Sequence, residues 1–475
     1  MRITSFRLPR PLAAGILATG LATGAAHGQE GIVPVVPNVP QEEAYELRGL
    51  PPQEAAQEAG EEGPNRYLEI DALAERGLKT YGWIDAGIGA NNWGAPWNGP
   101  ITFNDRNWQG QLNQLYLVNE KLLDLEDGGF DWGGRVDLLY GTDYIYTTAR
   151  GLDANLLNQP VAASPSWGNR YYGLALPQLY GELGYGNNAV KFGHFYTIIG
   201  YEVVPAIGNF FYTHAYTMQY GEPFTHTGIL DTWTPNDQTT VYAGITNGWD
   251  NYSDPINVVG IANPGYPGAN SNAAFLGGVS FKDPDETQTL TITTSSGNEP
   301  ASLLVPAPVG NRSIISAVYV NELSDKLTYV FQNDNGWQFS AVGVPSVLGQ
   351  QANLAQWYGI NQYLFYNLSD TLVAGTRLEW FRDNNGYRVV SGLRNALFGV
   401  PLGTGNWNGG FQGNFWQATF GLNWKPNRNF IMRPELRYDW YSPDKYGTAG
   451  TPLPFGRNFN EYGQLYGGCD AIWQF

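Results

Sequence analysis

Charged and apolar residues alternate between positions 430 and 440 of this 475-residue chain. Every even position there is apolar or aromatic, and the odd positions from 433 to 439 carry alternating basic and acidic side chains. Guanidinium and carboxylate groups that face one another across an aqueous space create a field that orients polar solutes and screens ions. The same groups can instead form ion pairs that only stabilise the wall that carries them.

Two further stretches repeat this arrangement. Arg377 and Glu379 lie opposite a mostly apolar face in one stretch, and Arg135 and Asp137 lie opposite such a face in the other. Because these charged groups share an inward face with those of the first stretch, we predict that they line one lumen. The predicted lining set is Arg135, Asp137, Arg377, Glu379, Arg433, Glu435, Arg437 and Asp439.

The spacing of these residues identifies the elements that position them. A period of two residues is that of a β-strand, whose side chains point alternately to opposite faces. About 9–11 tilted residues cross a bilayer, which is the length of the stretch 430–440. A strand of a soluble sandwich can alternate in the same way, but Phe430 and Trp440 place aromatic rings at both ends of the apolar face, as at the two headgroup levels of a membrane. Leu139 and Ile472 interrupt the alternation in two other predicted strands.

Short alternating runs separated by turns continue from residue 78 to residue 475, and helical periodicity is nearly absent there. Short turns alternate with longer connections, which is typical of outer-membrane barrels. The short turns lie at 186–188, 321–327, 367–372 and 425–430, and the longer or glycine-bearing connections at 142–177, 250–272, 296–310, 333–336, 383–386 and 389–410. We therefore predict an all-β, transmembrane antiparallel β-barrel of about sixteen strands, with short periplasmic turns and long extracellular loops.

The last residues of the chain fit this architecture. Trp473 and Phe475 would lie on the lipid side of a final strand, and Asp470 and Gln474 on the inner side. Every strand edge must be paired within hydrocarbon, because no water is present there to satisfy it. The final strand is therefore predicted to pair with the first, near residues 79–90.

The N-terminal part of the chain has a different composition. Residues 1–28 carry an arginine-containing start and then an apolar run, which predicts a signal peptide cleaved before Gln29. Residues 29–77 are rich in proline and glutamate and predict a periplasmic linker, with a possible short helix at 67–77. The predicted barrel occupies residues 78–475.

The segment 197–223 interrupts the strand pattern and is rich in aromatic residues. It is our candidate constriction loop, folded into the lumen, with Glu202, His214 and Glu222 as its candidate functional residues. An extracellular loop and an additional strand are the alternatives.

Composition argues against several classes of function. The chain has 43 acidic and 26 basic residues, a net charge of −17, which argues against nucleic acid as a partner. Gly-x-Ser-x-Gly, His-Glu-x-x-His and phosphate-loop motifs do not occur, so we predict no enzyme and no cofactor. His194, His214 and His226 lack the spacing of metal ligands. If the acidic excess reaches the lumen, it predicts a mild preference for cations.

Five segments, taken in their order along the chain, resemble the beta-barrel porin-2 (OmpL-like) family of outer-membrane proteins. They are YGWIDA at 81–86, QLYGE at 178–182, VKFGHFY at 190–196, FTHTG at 224–228 and VYAGITNGW at 241–249. The resemblance implies residence in the outer membrane, in contact with its lipid, and a water-filled channel for passive diffusion of small hydrophilic solutes or ions. A homotrimer is a possible assembly, although no residue pattern defines an interface.

A secreted or surface β-rich, carbohydrate-binding protein is the alternative. In such a lectin-like protein Trp93, Trp97, Trp167 and Trp249 would lie in loops and stack on sugar rings. Composition alone does not separate the two hypotheses.

Overall fold

The computed structural model describes residues 68, 74–125, 128–155, 164–165, 167–253, 273–300, 309–339, 354–394, 410–443 and 452–475. The predicted signal peptide lies outside these residues, and so does most of the predicted linker with its short helix. The signal peptide and the linker therefore stay predictions. In the described part of the chain, no helix is both long enough and apolar enough to cross a membrane.

Sixteen antiparallel strands form a closed barrel, which confirms the predicted fold. Neighbours in the barrel are neighbours in sequence, except that β3 pairs with β6 and β1 pairs with β18. The barrel strands are β1 (Lys79–Asn91), β2 (Gln111–Lys121), β3 (Phe130–Gly141), β6 (Gly173–Tyr185), β7 (Asn188–Tyr196), β8 (Thr225–Asn236), β9 (Thr239–Thr246), β10 (Ala274–Lys282), β11 (Gln288–Pro300), β12 (Val309–Ser324), β13 (Leu327–Phe339), β14 (Leu354–Ser369), β15 (Leu372–Asp383), β16 (Gly413–Asn427), β17 (Phe430–Pro443) and β18 (Gly463–Gln474).

Short elements lie in the connections between these strands. The two-residue strands β4 (Ala154–Asn155) and β5 (Ser164–Pro165) pair with each other between β3 and β6. One turn of α-helix, α1, spans Tyr144–Thr147. A 3₁₀ turn (Ala206–Gly208) and a π-helical turn (Thr217–Gly221) belong to the connection between β7 and β8.

The first and last strands close the barrel as the sequence predicts. Ile84 lies opposite Trp473, and Ala90 lies opposite Gly467, in an antiparallel register. The main-chain carbonyl of the terminal residue Phe475 also accepts a hydrogen bond from the amide of Gly82, at 2.8 Å. Among the sixteen described strands of the barrel, every edge is then paired with a neighbour, as the hydrocarbon region requires.

The outer face of β17 is the apolar face seen in the sequence. Leu436 and Tyr438 are 54% and 49% exposed, whereas Arg433 and Arg437 on the other face are buried inside the barrel. In a transmembrane barrel the exposed apolar side chains contact lipid.

Aromatic rings mark the two ends of this apolar band. Trp380, Trp416 and Trp440 lie side by side on β15, β16 and β17, with ring centroids 6.2 and 5.8 Å apart. Trp424 and Trp473 are exposed near the opposite rim. Tryptophan is favoured at both membrane–water interfaces, so these rings indicate the two headgroup levels.

The two rims differ in the length of their connections. Two-residue turns join β6 to β7, β8 to β9, β12 to β13, β14 to β15 and β16 to β17, and the long connections lie at the other rim. One predicted connection is wrong, because residues 333–336 lie within β13. Asn333 pairs there with both neighbouring strands, and Gly336 leaves room for the ring of Trp357, which would lie 2.1 Å from an added Cβ.

The soluble-sandwich alternative is wrong in its fold, because the sheet closes on itself. Trp249, one of its proposed sugar-stacking residues, is only 3% exposed and lies in an interior apolar cluster.

Leu436→Arg tests the assignment of the outer face. A basic side chain at a lipid-facing site near the bilayer midplane costs about 2–4 kcal/mol, so we expect a lower yield of inserted barrel. Heat-dependent gel mobility after folding into vesicles measures this yield. Leu368→Arg, at an exposed position beside a short turn, is the control and should insert nearly normally. Normal insertion of Leu436→Arg would mean that the faces are inverted.

Candidate functional site

Residues 197–224 join β7 to β8 and are here called the inner segment. Every residue from 209 to 223 is buried. Phe210 and Phe211 of the inner segment form an apolar cluster with Val330, Phe365 and other inward side chains of the strands. The candidate constriction loop therefore lies inside the barrel, whereas its role as a constriction stays a prediction.

Carboxylates on two strands hold the main chain of the inner segment. Glu379 accepts hydrogen bonds from the amides of Tyr216 and Thr217, at 2.8 and 2.7 Å, and from the Thr217 hydroxyl at 2.8 Å. The π-helical turn begins at Thr217, so Glu379 satisfies amides that have no partner within the turn. Glu435 accepts a hydrogen bond from the amide of Thr213, at 3.1 Å.

Guanidinium groups on the strands bind main-chain carbonyls of the inner segment. Arg433 donates to the carbonyls of Ala206 and Asn209, each at 2.7 Å, and also pairs with Asp470 on β18. Arg437 donates to the carbonyl of His214 at 2.6 Å. Hydrogen bonds from charged groups are stronger than neutral ones, so these contacts fix the path of the segment.

Glu202 pairs with Arg377 at 2.6 Å and lies 3.4 Å from Nδ1 of His214. Arg377 also donates to the carbonyl of Thr213 at 2.6 Å, so it holds the segment at two points. Burial by itself raises the pKa of Glu202, but the charge of Arg377 and the contacts of His214 outweigh it and hold the pKa at about 2. The side chain of Glu202 is therefore ionised at neutral pH, although it is buried inside the barrel.

Glu222, at the other end of the segment, contacts a different part of the wall. Its carboxylate accepts a hydrogen bond from Gln332 on β13 at 2.6 Å. The carbonyl of the preceding residue, Gly221, accepts one from the indole of Trp357 on β14 at 2.9 Å.

Inward-facing glycines make room for the aromatic residues of the segment. A Cβ added to Gly375 would lie 2.4 Å from the ring of Phe210, and one added to Gly87 would lie 2.6 Å from the ring of Tyr212. Since real Cβ atoms do not approach other atoms so closely, any larger residue at these positions would displace the ring.

Six of the eight predicted lining residues contact the inner segment. Five have been described: Arg377, Glu379, Arg433, Glu435 and Arg437. The sixth, Asp439, accepts a hydrogen bond from the Tyr216 hydroxyl at 2.8 Å. The other two belong to a separate network on β2, β3 and β6. Arg135 pairs there with Asp137 at 2.7 Å and with Glu120 at 2.9 Å. All eight residues are buried within the barrel.

A wall lined by hydroxyl groups was not among the predicted lining residues. The inner faces of β9–β12 carry Thr240, Ser280, Thr289, Thr291, Thr293, Ser295 and Ser316. A narrow pocket with room for about one water molecule lies between Ile198 and Gly200 of the inner segment and strands β11 and β12. The sequence does contain a pattern that predicts this wall, because hydroxyl residues occupy every odd position from 289 to 295. The predicted lining residues were chosen by charge, and these residues carry none.

Three of the four histidines, His194, His214 and His226, lie among the described residues. His194 bonds to the Thr227 hydroxyl at 2.8 Å, and His226 contacts the Thr197 hydroxyl and the carbonyl of Gly248. Among the residues with described positions, no group of three or more His, Cys, Asp or Glu could hold a metal ion.

A closed antiparallel barrel with a connection folded inside it is an architecture of outer-membrane proteins. The family described as "Putative beta-barrel porin-2, OmpL-like" matches residues 77–475. The chain belongs to this family. The resemblance noted in the sequence is therefore confirmed, and the match covers all sixteen strands of the barrel. Among curated proteins, none matches.

Solved structures similar to this chain at low sequence identity include three outer-membrane proteins. The anion-selective porin of Comamonas acidovorans is 9% identical, covers 84% of this chain and 99% of its own, and gives a TM-score of 0.51. OprB of Pseudomonas putida is 12% identical, covers 87% of this chain and 99% of its own, and gives a TM-score of 0.49. The outer membrane channel DcaP of Acinetobacter baumannii is 11% identical, covers 84% of this chain and 97% of its own, and gives a TM-score of 0.48.

Gly375→Val tests the packing of the inner segment. Its side chain would enter the space of the Phe210 ring, and overpacking of this kind costs about 1–3 kcal/mol. We expect the segment to be displaced and chymotrypsin to cut at its aromatic residues roughly tenfold faster, as judged by mass spectrometry.

Gly467→Val is the matched control, because the nearest atoms to its added Cβ lie 4.0 Å away. This variant should resist chymotrypsin like the unmodified barrel. Equal resistance of both variants would contradict the proposed packing of Phe210.

Proposed function

We propose that this porin forms a water-filled channel for the passive diffusion of small hydrophilic solutes or ions across the outer membrane. The observation that carries the proposal is the asymmetric interior. The inner segment is hydrogen-bonded to β13, β14, β15 and β17 and also to β2, and a hydroxyl-lined wall with an adjoining pocket lies on another side.

The hydroxyl-lined wall is suited to a solute path. Hydroxyl groups both donate and accept hydrogen bonds, so they can replace the water around a polar solute without binding it tightly. A path that exchanges solutes quickly needs such weak contacts. We therefore infer that solutes pass between the inner segment and β9–β12.

The charged residues have a second role in this proposal. The guanidinium and carboxylate groups on β15 and β17 hold the inner segment away from the opposite wall, and in this way they set the width of the channel. Glu202, His214 and Glu222 would then belong to the constriction as residues of the inner segment.

Two features of the mature protein belong to the same proposal. We expect export by the signal peptide, with a mature chain that begins at Gln29, as checked by the mass of the protein isolated from membranes. We expect a homotrimer, as checked by light scattering in detergent.

Conductance in planar bilayers tests the channel directly. The folded, full-length protein should give stepwise increases in current, whereas heat-denatured protein should give none. Folded barrels that insert without conductance would leave an adhesion or structural platform as the function.

Thr291→Trp tests the position of the path. An indole added to the hydroxyl-lined wall should reduce single-channel conductance by about half or more, because it occupies the proposed path. Ile292→Trp is the matched control, since Ile292 is the next residue on β11 and faces lipid. If both variants conduct alike, the path does not run along β11.

A further inference from the structure

A cluster of arginine and aromatic side chains lies inside the barrel near the rim with the long connections. We call it the mouth cluster. Arg150 and Trp249 belong to connections that follow β3 and β9, and Tyr387 and Arg388 follow β15. Arg312 lies at the start of β12 and Trp357 at the start of β14.

Two guanidinium groups of the mouth cluster lie against the same indole. The Cζ atoms of Arg312 and Arg388 are 5.0 and 5.5 Å from the ring centre of Trp249. The Cζ atom of Arg388 also lies 4.8 Å from the Trp357 ring and 5.9 Å from the Tyr387 ring. Arg388 is thus surrounded by aromatic faces.

Hydrogen-bond donors in this cluster lack acceptors. Trp249 is 3% exposed, and its Nε1 has no partner among the residues described. Nε of Arg150 is also buried and also has no hydrogen-bond partner among the residues described. Arg388 donates from Nε to the carbonyl of Tyr220, and its two Nη atoms bond to none of the described residues. A buried donor without an acceptor is costly, so Nε1 of Trp249 and Nε of Arg150 favour a ligand that supplies acceptors, and the half-buried Arg388 offers two further donors.

The nearby carboxylates already have donors. Glu299 accepts from the Trp249 amide at 2.6 Å and from Arg150 at 2.9 Å. Asp383 accepts from the amides of Tyr387 and Arg388.

Asp250, the third nearby carboxylate, accepts from the amides of Phe224 and Thr225. Asp250 and Asp383 thus accept hydrogen bonds from main-chain amides. Burial and the charge of Arg312 lower the pKa of Arg388 to about 10, which still leaves it a cation at neutral pH.

We propose that the mouth cluster binds a small aromatic carboxylate on its way into the channel. The carboxylate would accept hydrogen bonds from the free nitrogen atoms of Arg388 and from Nε1 of Trp249, and its ring would pack against the half-buried ring of Tyr387. A guanidinium suits a carboxylate because its parallel N–H groups match the two oxygen atoms. The inference rests on the proposed function, since it names a class of solute for the same channel.

Isothermal titration of the folded, full-length protein in detergent tests the site without requiring conductance. Benzoate is the probe, and benzamide is its neutral analogue of the same shape. We expect benzoate to bind and benzamide to bind at least about tenfold more weakly, because a charge-assisted hydrogen bond is lost. Equal affinities would overturn the proposal.

Arg388→Gln should weaken benzoate binding by about tenfold. Arg428→Gln makes the same change of charge in an exposed turn at the opposite rim and should leave binding unchanged. Trp249→Phe keeps an aromatic ring but removes the Nε1 donor, and should weaken binding several-fold. Unchanged binding in either mouth-cluster variant would contradict the site.

The outcomes separate this site from the channel itself. Benzoate binding without conductance would contradict the proposed channel and support the binding site. Conductance without benzoate binding would support the channel and contradict the binding site. If Arg388→Gln fails to fold, as judged by gel mobility, the benzamide comparison and Trp249→Phe decide the question.

Discussion

The interior of this barrel depends on hydrogen bonds between charged strand side chains and the main chain of the inner segment. Amides and carbonyls that lie inside a barrel still need partners, because an unsatisfied buried group costs about 1–3 kcal/mol. Glu379 supplies acceptors at the start of the π-helical turn, and Arg433 and Arg437 supply donors to three carbonyls. A connection of 28 residues can therefore lie within the lumen in one defined path.

The sequence predicted the strands well because one face of each meets lipid. That face must be apolar along its whole length, so Leu436 and Leu378 could be assigned from alternation alone. The inner face is not uniformly polar, and there the pattern failed. Leu139 and Ile472 both point inward and are fully buried, in a cluster that includes Ile207 of the inner segment. An apolar inner residue is thus explained by a partner more than 60 positions away, which no local pattern contains.

The candidate site was predictable in part for a similar reason. Alternation identified the charged inner residues, but it could not show that Glu435 and Arg437 bond to the main chain of another segment. The threonines of β11 were missed, although their spacing is as regular as that of the charges. The net acidic charge of the chain likewise says little about the mouth cluster, where the local excess of free donors comes from Arg388 and Trp249.

The order of these contacts along the chain has a consequence for assembly. The inner segment precedes β13–β17 in synthesis, and the hydrogen bond from Tyr216 to Asp439 joins residues 223 positions apart. Contacts between such distant residues form late, because the loop they close is long. The segment can adopt its final path only when the C-terminal third of the sheet is in place. The inner segment therefore reaches its final path late in the biogenesis of this protein.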